Sequence, residues 1–443
     1  MITSLYKKPA LAAFLLILMF TLLNSFFNSL SSAFGLNFPY TTFLFSPNDL
    51  FADYFKVIFS YPHVGSLDLG SIPKISNLLK NYFQSNPYQG IRGLSIGSLT
   101  HFHLTPLTTL ISLLSLKLMQ YISPLWLFCM SMALIFISYY YIINKVVAIR
   151  IDRALWYFSL LISYPTLFFF TRGNIFAAIT SISILGFLVF FAKGNKILAF
   201  ILLALAINIR PNAIVFICAI LINNQKIRYK ELVYFAALSG AIFMSTLYFS
   251  NLIYHDYTLS NFLSGLKIYH SLYVLGNSGM AYGSSLFSPL KVLFGANSFS
   301  ELSSLFIAGI FLLVSIILKL RNNISDSIYV FLISSCYVLG SSVFADYHLG
   351  VFISPLLLYY LEKTRKSVSG ISNIGNIDSF EFIMIYASSI LMLSPKNYIF
   401  YHGYSLQVIL NPLILLFSTS LIIFYYASKR NKIKSIITNG LLT

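Results

Sequence analysis

The sequence predicts an all-α, multi-pass membrane protein, and three observations carry that prediction. Hydrophobic residues make up 58 % of the 443-residue chain and charged residues only 9 %, far from the mixed surface of a soluble domain. Uncharged runs long enough for a helix to cross a bilayer recur from one end to the other. Most of the 29 Lys and Arg residues fall in short clusters between those runs: Lys7/Lys8, Lys145/Arg150/Arg153, Lys193/Lys196, Lys226/Arg228/Lys230, Lys319/Arg321, Lys363/Arg365/Lys366 and residues 429–434. Placing every cluster in the cytoplasm satisfies the positive-inside rule throughout. The net charge of +17 therefore sets topology, and no nucleic-acid partner is expected. Cys129, Cys218 and Cys336 lie inside apolar segments without metal-ligand spacing, and read as packing residues.

The elements follow in order. The run over 9–34 follows Lys7 and Lys8 like a signal peptide. It is too long for one and lacks a small-x-small cleavage site, so it reads as an uncleaved first span over 9–33. An outer loop with short surface helices occupies 35–122. The apolar stretch 104–143 exceeds one span. Splitting it at Ser123-Pro124 gives a helix over 105–121 lying at or dipping into the outer face, then a crossing over 124–143. Residues 155–170 climb outward, "TRGN" (171–174) turns outside, and 175–191 return. Both ends of the segment between Lys196 and Lys226 are basic, yet "NIRPN" (208–212) interrupts its middle. Two half-length helices meeting at Arg210-Pro211 account for this, because Pro211 blocks helix continuation and biases Arg210 to an extended conformation. A broken backbone at membrane depth is tolerated only where it is buried in protein or lines a wet cavity.

Residues 231–249 cross outward again, and an outer loop rich in Tyr, Ser and Gly covers about 251–300. Further spans fall near 302–319, 327–344, 350–361, 380–393 and 408–426, before a cytoplasmic tail over 427–443. The whole chain, 1–443, reads as one membrane domain with its core over 124–361, C-terminal spans over 380–426 and about 11–13 transmembrane segments. Neither an inverted nor a tandem repeat is visible, which weighs against a secondary transporter.

Sorting the remaining charges by side is the informative step. Of the 12 acidic residues, half (Asp152, Glu231, Asp326, Glu362, Asp378, Glu381) sit near the basic clusters. The others (Asp49, Asp53, Asp68, Asp256, Glu301, Asp346) fall on the outer side, together with Arg172, Arg210 and His348. Ionisable groups at helix ends or breaks in a membrane protein are costly and mark functional candidates. Carboxylates, a histidine and two arginines at one mouth suit a phosphate-bearing substrate and a proton transfer.

Plainer readings compete at each position. "SPND" (46–49) scans as a helix start, with Ser46 as N-cap, Pro47 at N1 and Asp49 at N3. Asp53 falls one turn on, on the same face, where a solvated polar face is the plain alternative. Arg172 also fits a charge anchoring an outer turn that Gly173 permits. His348 also fits a structural histidine. His63, His101 and His103 raise a metal only weakly, since "HFH" spacing is common by chance.

The ordered motifs resemble the GT-C superfamily of integral-membrane glycosyltransferases, in particular glycosyltransferase family 87. "NDLFADY" (48–54) is similar to that family's aspartate-aromatic motif in the first outer loop, and "NPYQG" (86–90) to its later Pro-Tyr. "HLTPLTTLISLL" (103–114) stands where the family has Tyr-Pro-Pro and an apolar helix. "TRGN" is similar to its Arg-Gly turn, "NIRPN" to its Lys-Pro break, and "ADYHLGVFISPLLL" (345–358) to its His-His…Pro segment. Arg210 replaces the usual lysine, Tyr347 replaces one of the paired histidines, and the Tyr-Pro-Pro is degraded.

The resemblance implies a GT-C-like bundle in the bacterial inner or plasma membrane, with its active site outside the cytoplasm. The implied activity is an inverting hexosyltransferase that moves a mannose-like sugar from a polyprenyl-phosphate donor to a glycan or glycolipid acceptor. No metal or other cofactor is implied. Asp49 is matched to the family's base, Asp53 is the second acidic candidate, and His348 assists. Arg172 and Arg210 would bind the donor phosphate, and Tyr54, Asn174, Asp346 and Tyr347 the substrate. Three alternatives stay open: a lipid-linked glycan polymerase or ligase, a non-enzymatic lipid-glycan flippase or transporter, and a degenerate GT-C-like protein without activity.

Overall fold

The computed structural model describes residues 8–35, 53–54, 104–119, 121–222, 229–275, 284–321, 323–342, 346–369, 379–395, 400–401 and 404–440. Among them the chain is all-α apart from a two-residue hairpin pairing Phe400–Tyr401 with Tyr404–Ser405. The first span is α1, Pro9–Ala33. The long apolar stretch divides as its prolines dictate, into α2 (Pro106–Leu118) and α3 (Pro124–Val146), each with Pro at its start, where a missing N–H costs nothing.

One outward element differs from expectation. Instead of a single helix over 155–170, the chain forms α4 (Arg150–Ile162) and α5 (Tyr164–Arg172), bent by 51°. Pro165 occupies the first turn of α5, so helix cannot run through from α4 unbroken. At the break the Ser163 hydroxyl donates to the Leu160 carbonyl at 2.7 Å.

The return helix α6 (Ile175–Ala192) is apolar all round and almost wholly buried, the mark of a central helix. It packs against α3, α7 (Lys196–Ile209), α13 (Ile353–Ser369) and the 3₁₀ helix Asp346–Phe352. After α7 the chain enters a second 3₁₀ helix, Pro211–Leu221, so the two half-length elements meet at Arg210 as the sequence predicts. Arg210 itself is extended, with φ −132° and ψ 97°.

Then come α8 (Tyr229–Ile253), α9 (Leu259–Tyr269), a π-helical turn His270–Val274, α10 (Phe287–Phe294), α11 (Ser298–Leu320), α12 (Asp326–Leu339), α14 (Ser379–Leu393) and α15 (Leu406–Gly440). The outer segment 251–300, read from sequence as a loop, thus carries α9, the π-turn and α10. By length and composition, α1, α3, α6, α8, α11 and α15 can each cross a membrane among the described residues, and the bent α4–α5 pair makes a seventh. The shorter apolar helices include α2, α7, the 3₁₀ helix after Arg210 and α12. The chain is accordingly read as a multi-pass integral membrane protein. Helices α8 and α11 are mostly exposed, presenting Val233, Tyr248, Leu302 and Phe306 outward, as lipid-facing helices do.

The expected segregation of charge appears as contact. Lys193 donates to the Lys145 carbonyl, and Lys196 bonds Glu231 at 2.6 Å. Tyr360 donates to Asp152 at 2.9 Å, and Lys319 pairs with Asp326. Glu362 accepts the Asp326 and Ser327 N–H groups at 2.8 and 3.1 Å, a carboxylate seated on the N-terminus of α12 where the helix dipole favours it. These contacts involve the basic clusters and neighbouring acids that the sequence reading assigns to the cytoplasm.

Close packing between α11 and the end of α12 depends on a glycine. A Cβ on Gly340 would lie 3.0 Å from the Ala308 Cβ and 3.1 Å from the Cys336 carbonyl oxygen, and small residues permit such approaches between membrane helices. Gly340→Val should lower the thermal unfolding midpoint of the purified protein, corresponding to about 1–3 kcal/mol of overpacking. Gly309→Val, where nothing lies within 4 Å, serves as control. Equal midpoints for the two variants would disprove the tight contact.

Candidate functional site at the outer helix ends

The "TRGN" turn builds the first part of the site. Gly173 ends α5 in the left-handed region, φ 72° and ψ 25°, a conformation glycine adopts without strain. The chain reverses there, so Arg172 closes one helix while Asn174 opens the next. The Asn174 Oδ1 accepts the Ala177 N–H at 2.9 Å, an N-cap on α6. Its Nδ2 meanwhile donates to the Asp53 Oδ2 at 3.0 Å. Arg172 grips the same carboxylate with two donors, Nε to Oδ2 at 3.2 Å and Nη2 to Oδ1 at 2.7 Å. Both side chains are nearly buried, 8 % and 15 % exposed, so solvent screens this ion pair little. The Arg172 guanidinium also lies 5.9 Å from the Phe168 ring centre.

Asp53 and Tyr54 are helical. Tyr54 is buried, its ring edge-on to Phe128 at 5.1 Å. Burial, and secondarily Cys129, raise its hydroxyl above the ordinary phenol range.

The short helix 346–352 supplies the second part. Tyr347 stacks on Phe168 at 5.6 Å, and Phe168 on Tyr164 at 5.4 Å. The Tyr347 hydroxyl is pushed up to about 12, by burial first and then by the Asp53 carboxylate, against the pull of Arg210 and Arg172. Tyr347 is therefore where Asp53, Arg172 and Arg210 converge electrostatically. His348 is buried, its ring perpendicular to Tyr347 at 4.8 Å. Burial and, less strongly, the Arg210 charge hold its imidazole well below the usual histidine range, so it is neutral at physiological pH. Asp346, also buried, accepts from Tyr164 at 3.2 Å and from Ser284, which in turn accepts from Asn411 at 2.9 Å. Its carboxylate thereby joins α5, the segment before α10 and α15.

Arg210 is the third part and differs from Arg172. Half-buried at the α7 break, its guanidinium makes no hydrogen bond or ion pair among the described residues, while its charge reaches Tyr337, Tyr347 and His348. The neighbouring Asn212 donates to Ser341 at 2.7 Å, fixing the break against the end of α12.

Of the residues singled out from sequence, Asp53, Arg172, Asn174, Arg210, Asp346, Tyr347 and His348 are joined by these contacts and fields; Tyr54 packs on Phe128 beside Asp53 in the chain, and Asp49 lies outside the described residues. The network also enlists Tyr164, Ser284, Asn411, Asn212 and Ser341, which sequence reasoning did not nominate. Among these, Asn411 next to Pro412 inside an apolar run carries a readable signal. No group of three or more His, Cys, Asp or Glu side chains suited to a metal occurs among the described residues. Comparison of the chain with protein-family models, curated proteins and solved structures gives no match.

Chemically, among the described residues the arrangement offers one cation paired with a carboxylate, one cation without an ion-pair partner and a neutral imidazole at one end of the bundle. Removing one member of a buried ion pair strands the other, at about 3–5 kcal/mol. Asp53→Asn and Arg172→Gln should therefore each lower the thermal midpoint, while the double variant loses much less than the sum, with a coupling of about 0.5–3 kcal/mol in the double-mutant cycle. Strict additivity would remove the pair from the account.

Proposed function

We propose that the chain is a membrane glycosyltransferase of the GT-C kind, moving a hexose from a polyprenyl-phosphate donor to a glycan or glycolipid hydroxyl on the extracytoplasmic face. The observation that carries the reading is Arg210, a half-buried guanidinium with no partner among the described residues, at a broken helix beside a neutral histidine. A cation held there without a counter-ion suits an anion brought by the substrate, and a guanidinium fork fits phosphate bidentately.

Roles divide by how each group is already occupied. Asp53 holds three donors from Arg172 and Asn174, so it orients Arg172 rather than taking a substrate proton. Asp49 remains the candidate base, within the motif that resembles that of family 87. In the transfer, the acceptor oxygen attacks the anomeric carbon, its proton passes to the Asp49 carboxylate, and the carbon–oxygen bond to the lipid phosphate breaks with inversion. The leaving phosphate keeps the bonding electron pair, and Arg210 stabilises its charge. The Arg172 charge, balanced by Asp53, adds field but little net attraction. No metal is needed for this balance.

The test is a purified-protein assay in nanodiscs, following labelled mannose from polyprenyl-phosphate-mannose to an alkyl mannoside. Arg210→Ala should cut kcat by roughly 10²-fold, as removal of a transition-state donor does, and Arg210→Lys should restore part of it. Asp49→Asn should abolish transfer. Undiminished transfer by Arg210→Ala, or lipid-linked sugar crossing liposomes without covalent transfer, would overturn the reading.

A further inference from the structure

A second polar cluster lies at the same end of the bundle. Glu301, in the first turn of α11, accepts from the Ser342 hydroxyl at 2.5 Å through Oε1 and bonds the His270 Nε2 at 2.8 Å through Oε2. His270 begins the π-helical turn after α9, a geometry often found at functional sites. Its side chain is 45 % exposed while Glu301 is 14 % exposed, so the imidazole stands at the surface on a buried support. Lys291 of α10 borders the cluster. It lies 4.8 Å from the Phe287 ring, and burial draws its ammonium down to about 8 while Glu301 opposes the shift.

Two connections tie the cluster to the site above. Ser342 follows Ser341, the residue that receives Asn212 beside the Arg210 break. Tyr269, immediately before His270, lies within electrostatic reach of Tyr347.

The tautomer follows from the contacts. Both Glu301 oxygens are engaged and a carboxylate accepts, so the His270 Nε2 donates to it, and the neutral tautomer that does so has its lone pair on Nδ1. The Nδ1 atom has no hydrogen-bond partner among the described residues. The result is an orientation-fixed acceptor on a side chain that is 45 % exposed, which is what a polyhydroxylated ligand needs as a partner for an O–H. We infer that His270, held by Glu301 and Ser342, is an acceptor-side subsite that binds a sugar hydroxyl at the outer mouth. The inference deepens the transferase reading and rests on it for the identity of the ligand as the acceptor glycan.

The experiment uses the full-length protein in nanodiscs with octyl mannoside as the probe. Carbethoxylation of His270 is timed by peptide mass spectrometry with and without the probe, in the absence of donor, and transfer is measured in parallel. Octyl mannoside should slow His270 modification several-fold. Protection without transfer supports the subsite and removes the transferase reading. Transfer without protection overturns the subsite and leaves the transferase reading standing. Neither result together overturns both.

Two variants separate binding from architecture. His270→Gln keeps a donor for Glu301 but loses the Nδ1 acceptor, and should raise the KM for octyl mannoside about tenfold, the value of one hydrogen bond, with kcat within about twofold. His270→Asn keeps an acceptor near the Nδ1 position while losing the Glu301 contact, and should raise it less. The reverse order, with His270→Gln unchanged and His270→Asn impaired, would mean that the dyad is only structural.

Discussion

The grip of Arg172 and Asn174 on Asp53 is the interaction on which the outer half of the molecule depends. An arginine nearly removed from water is expensive unless its charge is met in good geometry. Here two of its donors meet both carboxylate oxygens. The carboxylate comes from the first outer segment and the arginine from the end of α5. The turn between them is fixed by a glycine in the left-handed region and an asparagine that caps α6. Because α6 is the buried axis of the bundle, whatever is tied to its outer end inherits its position. The helix carrying Tyr347 and His348 packs on α5 and α6, so the whole mouth is registered to one ion pair and one cap.

The α7 break solves a different problem. Pro211 has no N–H to give the preceding turn, and the backbone continues as a 3₁₀ helix of 11 residues, longer than such helices usually run. Its position is secured by side chains: Asn208 donates to the Ala204 carbonyl and to Ser239, and Asn212 to Ser341. The flanking asparagines do the anchoring, which leaves the arginine between them uncommitted. A half-buried charge without an ion-pair partner among the described residues is hard to explain as packing.

The readable features are those written in glycine, proline and charge. "TRGN" and "NIRPN" state their geometry locally, because positive φ and a missing N–H are properties of single residues. The expected side of each loop follows from its lysines and arginines, and the Lys145–Lys193 and Lys196–Glu231 contacts join clusters assigned to one side. The bend at Ser163 has no such unambiguous signal. A proline in an apolar run reads equally as a kink within one helix or as the first turn of a new one. The helices within 251–300 are short, and their Ser, Tyr and Gly content imitates a loop. Pairings between distant segments leave no local trace at all. His270 and Glu301 are 31 positions apart and Asp346 and Ser284 are 62 apart, and neither pair has a periodicity that announces it. Nor does the sequence separate Arg172 from Arg210: both are arginines at outer helix ends, and only their surroundings distinguish them.

That distinction bears on how a transferase of this kind would gain rate. A polyprenyl-phosphate sugar is a phosphodiester with one negative charge. As the glycosidic carbon–oxygen bond breaks, the departing phosphate becomes a monoester and its charge grows. A cation already neutralised by a carboxylate, like Arg172, gains little from that growth, because Asp53 competes for the same donors. An uncompensated cation gains most, and gains more at the transition state than in the ground state, which is the only kind of interaction that accelerates the chemical step. Water is poorly placed to reproduce the effect at a half-buried site, where the effective dielectric is well below that of bulk solvent. In the proposed transferase the two arginines would divide the labour: Arg172 holds the mouth together, and Arg210, without an ion-pair partner among the described residues, would meet the charge that appears only during transfer.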